Sequence, residues 1–482
     1  MTYRFGPLER RGLLGPFRAS QVVPVALAAI TAVVVLDMVP SATGAVAALA
    51  LIGAALMAAT VPLGGGTFAE WAPTALRHAA RRSGGRARFR STLPGKGFRM
   101  SGAEVDEPVL PPALAGVTLR DVPYRQRQLG VLSDNGGKLL TAALACRVSA
   151  FDLLDRTAQE RRLAQWGAVL RAAAGTPIRR LQWIERTTPA QGDELAKWLH
   201  QERDPRVPPR GSALVESYLE LIGTTALVMH EHEILVAVQV DGSRIRGDAQ
   251  AVLIEQAQRI ARGLEDAQIN VLGALSASQL SYVIRTGFDP YVRTELAASG
   301  RERDERAGLD PAHAGPLAAQ ERWDHLQADG ACHATYWIGG WPRIDVGPMF
   351  MNALLGPSGP MRTVAVCFEP IPPERSTREV EAALTRDRAD REVRRRFGQA
   401  ETARHRLAQH AAESREAELA AGHGEVRFAG YVTVSGRDGD ELRRATADTL
   451  QQAARAHLDL HRLYGQQAEA FTFTLPLARG LR

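Results

Sequence analysis

The stretch ASQVVPVALAAITAVVVL, residues 19–36, holds no charged side chain, and after Asp37 a second uncharged run extends from residue 38 to residue 69. A helix crossing the hydrocarbon core of a bilayer needs roughly 20 apolar residues, with about 17 as the lower limit. Both runs meet that length, the first narrowly. Asp37-Met38-Val39-Pro40-Ser41 between them has a turn-like composition and a helix breaker. The reading is a two-helix transmembrane hairpin over residues 1–70 with a very short outer loop. Gly44, Ala47, Ala48, Gly53, Ala54 and Ala55 would let the helices approach closely. A cleaved signal peptide followed by one stop-transfer helix is the alternative, and a pair of buried core helices is another.

Charge supports the hairpin. Residues 1–100 carry 12 basic and 3 acidic side chains, whereas the remaining 382 residues carry 47 basic and 50 acidic ones, a net −3. The positive excess therefore flanks the apolar runs, and no basic nucleic-acid-binding domain is indicated. Four of those basic residues precede the first run, eight follow the second within residues 77–99, and none lies between. The positive-inside rule then places both termini in the cytoplasm of a multi-pass membrane protein. Phe68 and Trp71 suit the lipid interface, and the cluster Arg77–Arg90 would face anionic headgroups; an RNA-binding arm is the other use of such a cluster. Residues 71–110 read as a basic juxtamembrane segment and a Gly/Pro/Ser-containing linker.

From residue 111 to 482 strand and helix patterns alternate, as in a mixed α/β (α+β) cytoplasmic domain. Strands are expected at Val117–Leu119, Leu129–Leu132, Leu139–Val148, Ile178–Arg186, Ile234–Val240, Ala331–Ile338, Met361–Ile371, Glu425–Val434 and Ala468–Pro476. Asp134-Asn135-Gly136-Gly137 carries a hairpin-turn signature. Helices are expected at Phe151–Ala174, Gly192–Gln201, Ser212–His230, Ala249–Ala267, Ser276–Thr286, Pro348–Leu355 and Asp440–Leu463. Residues 299–330 read as a surface excursion. Glu374–Ala421, rich in Arg, Glu and Ala, reads as a long solvated helix or a partner-binding arm. No internal repeat is visible in the residues themselves.

Chemistry is sparse. The three cysteines, Cys146, Cys332 and Cys367, are odd in number and far apart, so no disulfide framework or zinc set follows. A phosphate-cradling loop needs G-x-x-x-x-G-K-[ST]; neither Gly95-Lys96 nor Gly137-Lys138 fits it. In His230-Glu231-His232-Glu233 the imidazoles are two residues apart, not the four that bring both onto one helical face for zinc. Cys332-His333 would point to opposite sides of a strand, and His405 and His410 would face water. No catalytic, cofactor-binding or metal-ligating residue is assigned, and the chain reads as a non-enzyme without cofactor. A triad scattered through the sequence, as in a membrane-bound enzyme, would escape such a search.

With these segments in place, Glu425–Leu477 resembles the end of the N-terminal domain of type IV secretion and conjugation ATPases of the TrbE/TraC class, through the strand Tyr431–Val434, the helix start Asp438–Leu442 and the Gln467–Leu477 ending. Thr335–Ile344 and Met361–Ile371 are similar to the part that precedes it there. The hairpin with Glu70-Trp71 resembles the PrgI-like membrane subunits, and the whole layout is similar to an actinobacterial family that fuses the two. The resemblance implies a non-catalytic inner-membrane subunit of a conjugation or type IV-like secretion apparatus, made for protein–protein interaction. Its implied partners are the lipid bilayer, a separate motor ATPase, other secretion subunits and a second copy of itself, with no direct nucleic-acid binding. ATP binding is not carried over, because the motor that follows Leu-Pro-Leu in that family is missing after Leu475-Pro476-Leu477. A membrane component of a type VII secretion system, which can have two N-terminal spans and a soluble domain, is the alternative.

Overall fold

A computed structural model describes residues 19–63, 66–91, 110–124, 127–148, 151–189, 230–293, 309–356, 359–379 and 424–481, with isolated positions between them. The first described elements are helices α1 (Ala19–Met38) and α2 (Ala42–Thr60), joined by a short turn in which Ser41 caps α2 through Gly44 N–H. Their contact is made of small residues: Ala28, Ala32, Gly44 and Ala48 are buried, while Val33 and Leu49 on the outer faces are about two-thirds exposed. Removing small side chains from water stabilises little, so the outward apolar surface is the larger unsatisfied term. Among the described residues, α2 is the helix long and apolar enough to be a candidate membrane span, and the apolar stretch Val22–Met38 of α1 is shorter. A two-residue ribbon, β1 (Pro62–Leu63) with β2 (Gly66–Thr67), leads into α3 (Phe68–Ser83) and β3 (Arg88–Arg90).

The rest is built on one antiparallel sheet. Its first half contains β4 (Thr118–Tyr124), β5 (Arg127–Asp134), β6 (Leu139–Arg147), α4 (Arg156–Ala173), β7 (Ile178–Pro189), β8 (His230–Asp241), α5 (Ala249–Asp266), β9 (Asn270–Ala274) and α6 (Ala277–Phe288). Its second half contains β10 (Ala318–Glu321), β11 (Leu326–Ala328), β12 (Ala331–Gly340), α7 (Asn352–Leu355), β13 (Arg362–Ile371), β14 (Glu425–Gly436), α8 (Gly439–Arg455), β15 (Asp459–Arg462) and α9 (Gln467–Phe471). The strand order is β3-β10-β11-β12-β14-β13-β7-β8-β6-β5-β4, with β15 also on β12 and β9 also on β6. The sheet thus takes an edge strand from the 71–110 segment, through the pairs Ala318↔Arg90 and Gln320↔Arg88.

That order repeats one topology twice. Each half runs as two outer strands, a strand that holds a short partner on the same edge, and a hairpin whose second arm inserts beside it. The halves meet at β7 and β13, antiparallel, with Ala365 opposite Ile184. The equivalence extends to hydrogen bonds. After α5, Ala267, Gln268 and Ile269 N–H donate to Gly263, Glu265 and Leu264; after α8, Ala456, His457 and Leu458 donate to Gln452, Ala454 and Ala453. Gln268 (φ 60°) and His457 (φ 55°) share the left-handed backbone that ends both helices. Asp248 and Asp438 cap the two helices from equivalent places. The internal repeat missing from the residue pattern is therefore present in the backbone.

Helices cover both faces. On one, Val169 of α4 and Ile260 and Leu264 of α5 pack on Leu181, Val236 and Val238, while Leu442 and Ala445 of α8 pack on Ile338, Val364 and Val432. On the other, Leu280 and Ile284 of α6 and Phe471, Leu475 and Leu477 of the C-terminal segment pack on Ile184, Leu235, Ala237 and Ala365. Several expectations change here. Ala468–Pro476 is not a closing strand: it is α9 followed by a 3-10 turn at Thr472–Thr474. The helix expected over Asp440–Leu463 stops at Arg455 because His457 turns left-handed, and β15 follows. Residues 309–328, expected as a surface excursion, contribute Leu309, Ala314, Leu326 and Ala328 to the buried core. The helix expected at Gly192–Gln201 and most of those expected at Ser212–His230 and Glu374–Ala421 lie outside the described residues; in the second, Ala213, Ser217 and Glu220 are helical and His230 begins β8.

Candidate functional site: the junction of the helix pair and the sheet

The sites suggested by short motifs do not assemble. Gly137-Lys138 belongs to the β5–β6 turn, where Asn135, Gly136 and Gly137 all have positive φ, as a tight hairpin requires. Gly95-Lys96, His405 and His410 lie outside the described residues. His232 sits on β8 with Nδ1 3.2 Å from Glu185. Its neighbours Glu231 and Glu233 accept from Arg293 at 2.9 and 2.8 Å, and Glu233 also meets the buried Arg186 at 3.3 Å. This cluster is an ion-pair clasp between β7, β8 and the turn after α6. Among the described residues no group of three or more His, Cys, Asp or Glu side chains could hold a metal ion.

One arrangement with a catalytic look was not legible in the sequence. His333 Nδ1 lies 2.9 Å from Ser435 Oγ, and Nε2 lies 2.7 Å from the Phe288 carbonyl. The carbonyl takes the Nε2 proton, so Nδ1 accepts from the serine. Burial pushes the His333 pKa down to about 4, and the hydrogen bond to Phe288 and the nearby Asp289 and Asp329 only partly oppose it. His333 is fully buried, Ser435 is nearly so, and the adjacent space of about 10 Å³ holds no more than a water. Substrate cannot reach this pair. The same holds for Cys146 and Cys367, buried thiols whose pKa burial pushes up to about 12. Cys332, on the opposite side of β12 from His333, is also raised by burial.

The constructed feature is the junction between the N-terminal helices and the sheet. Trp71 of α3 meets Tyr464 edge-on at 5.5 Å and Trp323 at 6.1 Å; His78 meets Trp323 at 5.4 Å, and Trp323 stacks on Tyr464. Trp71, expected at the lipid interface, is thus used on protein. Such aromatic pairs add about 0.5–1.5 kcal/mol each beyond their buried area. Gly465, with φ 67°, closes the cluster: its N–H donates to Trp323 O at 2.6 Å and its carbonyl accepts from Arg81. Arg81 also pairs with the buried Glu321 at 3.6 Å. α3 packs beside α1 and α2 as well, so it links the helix pair to the sheet.

A cavity of about 540 Å³ opens next to this clasp, lined among others by Arg81, Arg86, Phe89, Arg180, Phe473 and Arg479. Most of its guanidiniums are already engaged. Arg180 pairs with Glu369 at 3.3 Å, and Arg479 grips Asp134 at 2.7 and 2.8 Å and the Ala113 carbonyl at 2.7 Å. Gln182 Nε2 donates to Phe473 O at 2.7 Å and its Oε1 accepts from Ala478 N–H at 2.7 Å, while Gln239 donates to Leu477 O at 3.0 Å. The Gln467–Leu477 ending that carried the resemblance to conjugation ATPases is therefore core, bolted to this chain's own sheet.

Residues 225–338, about a quarter of the chain, match the family model EccE, described as a type VII ESX secretion system translocon. The match takes in β8 to α6 of the first half and β10 to most of β12 of the second, but neither β7 nor β13, where the halves meet. It overturns the reading of the chain as a conjugation or type IV secretion subunit of the fused actinobacterial type and favours the type VII alternative. No curated protein matches the chain.

Proposed function

We propose that this chain is a membrane-anchored, non-enzymatic component of a type VII (ESX) secretion translocon. The observation that carries the reading is the EccE match across residues 225–338 on a chain that also has an apolar helix pair. The domain division that goes with it is an anchor at residues 1–70, a basic juxtamembrane segment at 71–110 and a cytoplasmic domain at 111–482. The arginine distribution favours a hairpin with both termini in the cytoplasm. Its partners are then other ESX subunits and the bilayer, and a second copy where the translocon repeats its subunits. Burial of the Ser435–His333 pair and of all three thiols supports a scaffold over an enzyme.

The test is copurification and secretion together. Tagged full-length chain extracted from native membranes should bring down ESX membrane subunits, and its deletion should stop export of ESX substrates while their synthesis continues. Export that persists after deletion, or copurification with a conjugation apparatus instead, refutes the reading. A reporter active only in the cytoplasm, fused after Arg482, checks the topology.

A further inference from the structure

The clasp at the junction uses only one side of α3. At 100° per residue, Trp71, Thr74, His78 and Arg81 fall on one arc, and these are the side chains that meet the sheet domain. Phe68, Ala72, Ala75, Leu76 and Ala79 fall on a different arc of about 100°. Phe68 is 54% and Leu76 71% exposed, and Ala75 and Ala79 are exposed as well. A large apolar side chain left in water at that level is unusual beside a helix pair whose own outer surface is apolar.

We infer that the Phe68–Ala79 face of α3 rests in the interfacial layer of a bilayer containing anionic lipid, so that α3 is a membrane-surface helix glued to the sheet domain by its other side. This rests on the membrane reading of α1 and α2. Two observations on the fold select lipid over a protein partner. α3 begins only eight residues after α2 ends and packs beside both α1 and α2, whose outward side chains such as Val33 and Leu49 are apolar and exposed. The charge is also complementary: Arg77, Arg82, Arg86, Arg88 and Arg90 are exposed, and among the described residues none of them pairs with a carboxylate. Arg82 borders the apolar stripe beside Ala75, Arg77 lies farther round α3, and the other three follow the helix; an apolar face with arginine close by is the pattern of helices that lie in the headgroup boundary, and each guanidinium near an anionic surface adds attraction that a neutral surface does not supply.

The consequence is geometric. The sheet domain is not hung from a hinge below the membrane; the helix that touches lipid is the helix that carries the clasp.

The experiment uses full-length chain in nanodiscs of phosphatidylcholine, with and without phosphatidylglycerol. A bimane label is placed at Leu76→Cys, at Leu49→Cys on the outer face of α2, and at Lys138→Cys in the exposed β5–β6 turn; the three native cysteines are buried. Nitroxide lipid should quench Leu76→Cys and Leu49→Cys several-fold more than Lys138→Cys, with iodide showing the reverse order. Quenching at Leu76→Cys should rise with phosphatidylglycerol, and Arg77→Gln with Arg82→Gln should remove that rise. If Leu49→Cys is quenched by lipid while iodide reaches Leu76→Cys as freely as Lys138→Cys, the inference about α3 is wrong and the hairpin stands. Shielding of Leu76→Cys from both quenchers means a protein surface covers the face, which also overturns it. If Leu49→Cys escapes nitroxide lipid, the membrane reading of the helix pair fails and this inference fails with it.

Discussion

Substituting Gly465→Ala should release α3 from the sheet domain without unfolding that domain. Gly465 holds φ 67°, where a Cβ costs about 1 kcal/mol or more. The added Cβ would also lie 2.5 Å from Trp323 Cζ3 and 3.1 Å from Thr74 Cγ2. Trp323 is 38% exposed but touches Trp71, His78 and Tyr464, so its retreat would disturb those ring contacts. Overpacking of that kind costs typically about 1–3 kcal/mol, so the local penalty is about 2–4 kcal/mol. It falls where Gly465 touches α3. The assay is amide hydrogen exchange on the full chain in nanodiscs. Amides of residues 72–82 should exchange about 30- to 700-fold faster, the range that 2–4 kcal/mol spans at about 1.4 kcal/mol per tenfold. Amides of β7, β8 and β13 should not change. Unchanged exchange in α3 would mean that the clasp adds no stability. Equal acceleration throughout would mean that Gly465 supports the whole sheet domain and not the docking of α3.

Three further outcomes are expected. Asp134 is buried, which raises its pKa, but the hydrogen bond and charge of Arg479 outweigh this and leave it below the usual value of 3.8; its stabilisation is present above that value and lost as pH falls through the folded-state value, so Asp134→Asn should flatten the unfolding curve below about pH 4. His333, held neutral by burial with its pKa pushed down to about 4, makes the fold lose stability as pH drops from 6.5 to 4, at about 1.4 kcal/mol per unit, and His333→Gln should remove that slope in calorimetry while leaving the more acidic limb to Asp134. Truncation after Gly465 removes Phe471, Leu475 and Leu477, all nearly inaccessible, and should abolish folded protein by circular dichroism; a folded truncated chain would refute the placement of the tail.

What could be read from the residues was what local pattern dictates. The uncharged runs gave two helices, Asn135-Gly136 gave a turn, and the apolar spacing gave α5 and α6 close to their observed bounds, while α4 starts five residues later than expected because Phe151–Leu153 is a separate 3-10 turn and Asp155 caps the helix. The tail misled because Phe471-Thr472-Phe473-Thr474-Leu475 alternates with period two, the signature of a half-buried strand, whereas it is a turn with partners on several sides: Thr433 Oγ1 meets Thr474 Oγ1, and Tyr431 packs on Phe473. β15 and the end of α8 hinge on His457 in a left-handed conformation, which its residue type does not announce. The repeat was hidden for a similar reason: the halves share hydrogen-bond geometry, not residue identity, and one half carries α4 where the other has the single turn of α7. The Trp71–Trp323–Tyr464 cluster joins residues hundreds of positions apart, and only the sheet brings them together.

The pairing of β7 with β13 sets a timetable for synthesis. β7 ends at Pro189 and β13 does not begin until Arg362. At about 5–20 residues per second, β7 waits roughly 10–35 s on the ribosome for its second neighbour. During that interval Leu181, Trp183 and Ile184 stand on an unpaired strand edge. Such an edge invites pairing with another nascent chain. Overproduction should therefore fail first by aggregation of chains shorter than about 370 residues, and slowing elongation between residues 190 and 360 should make the yield worse, not better.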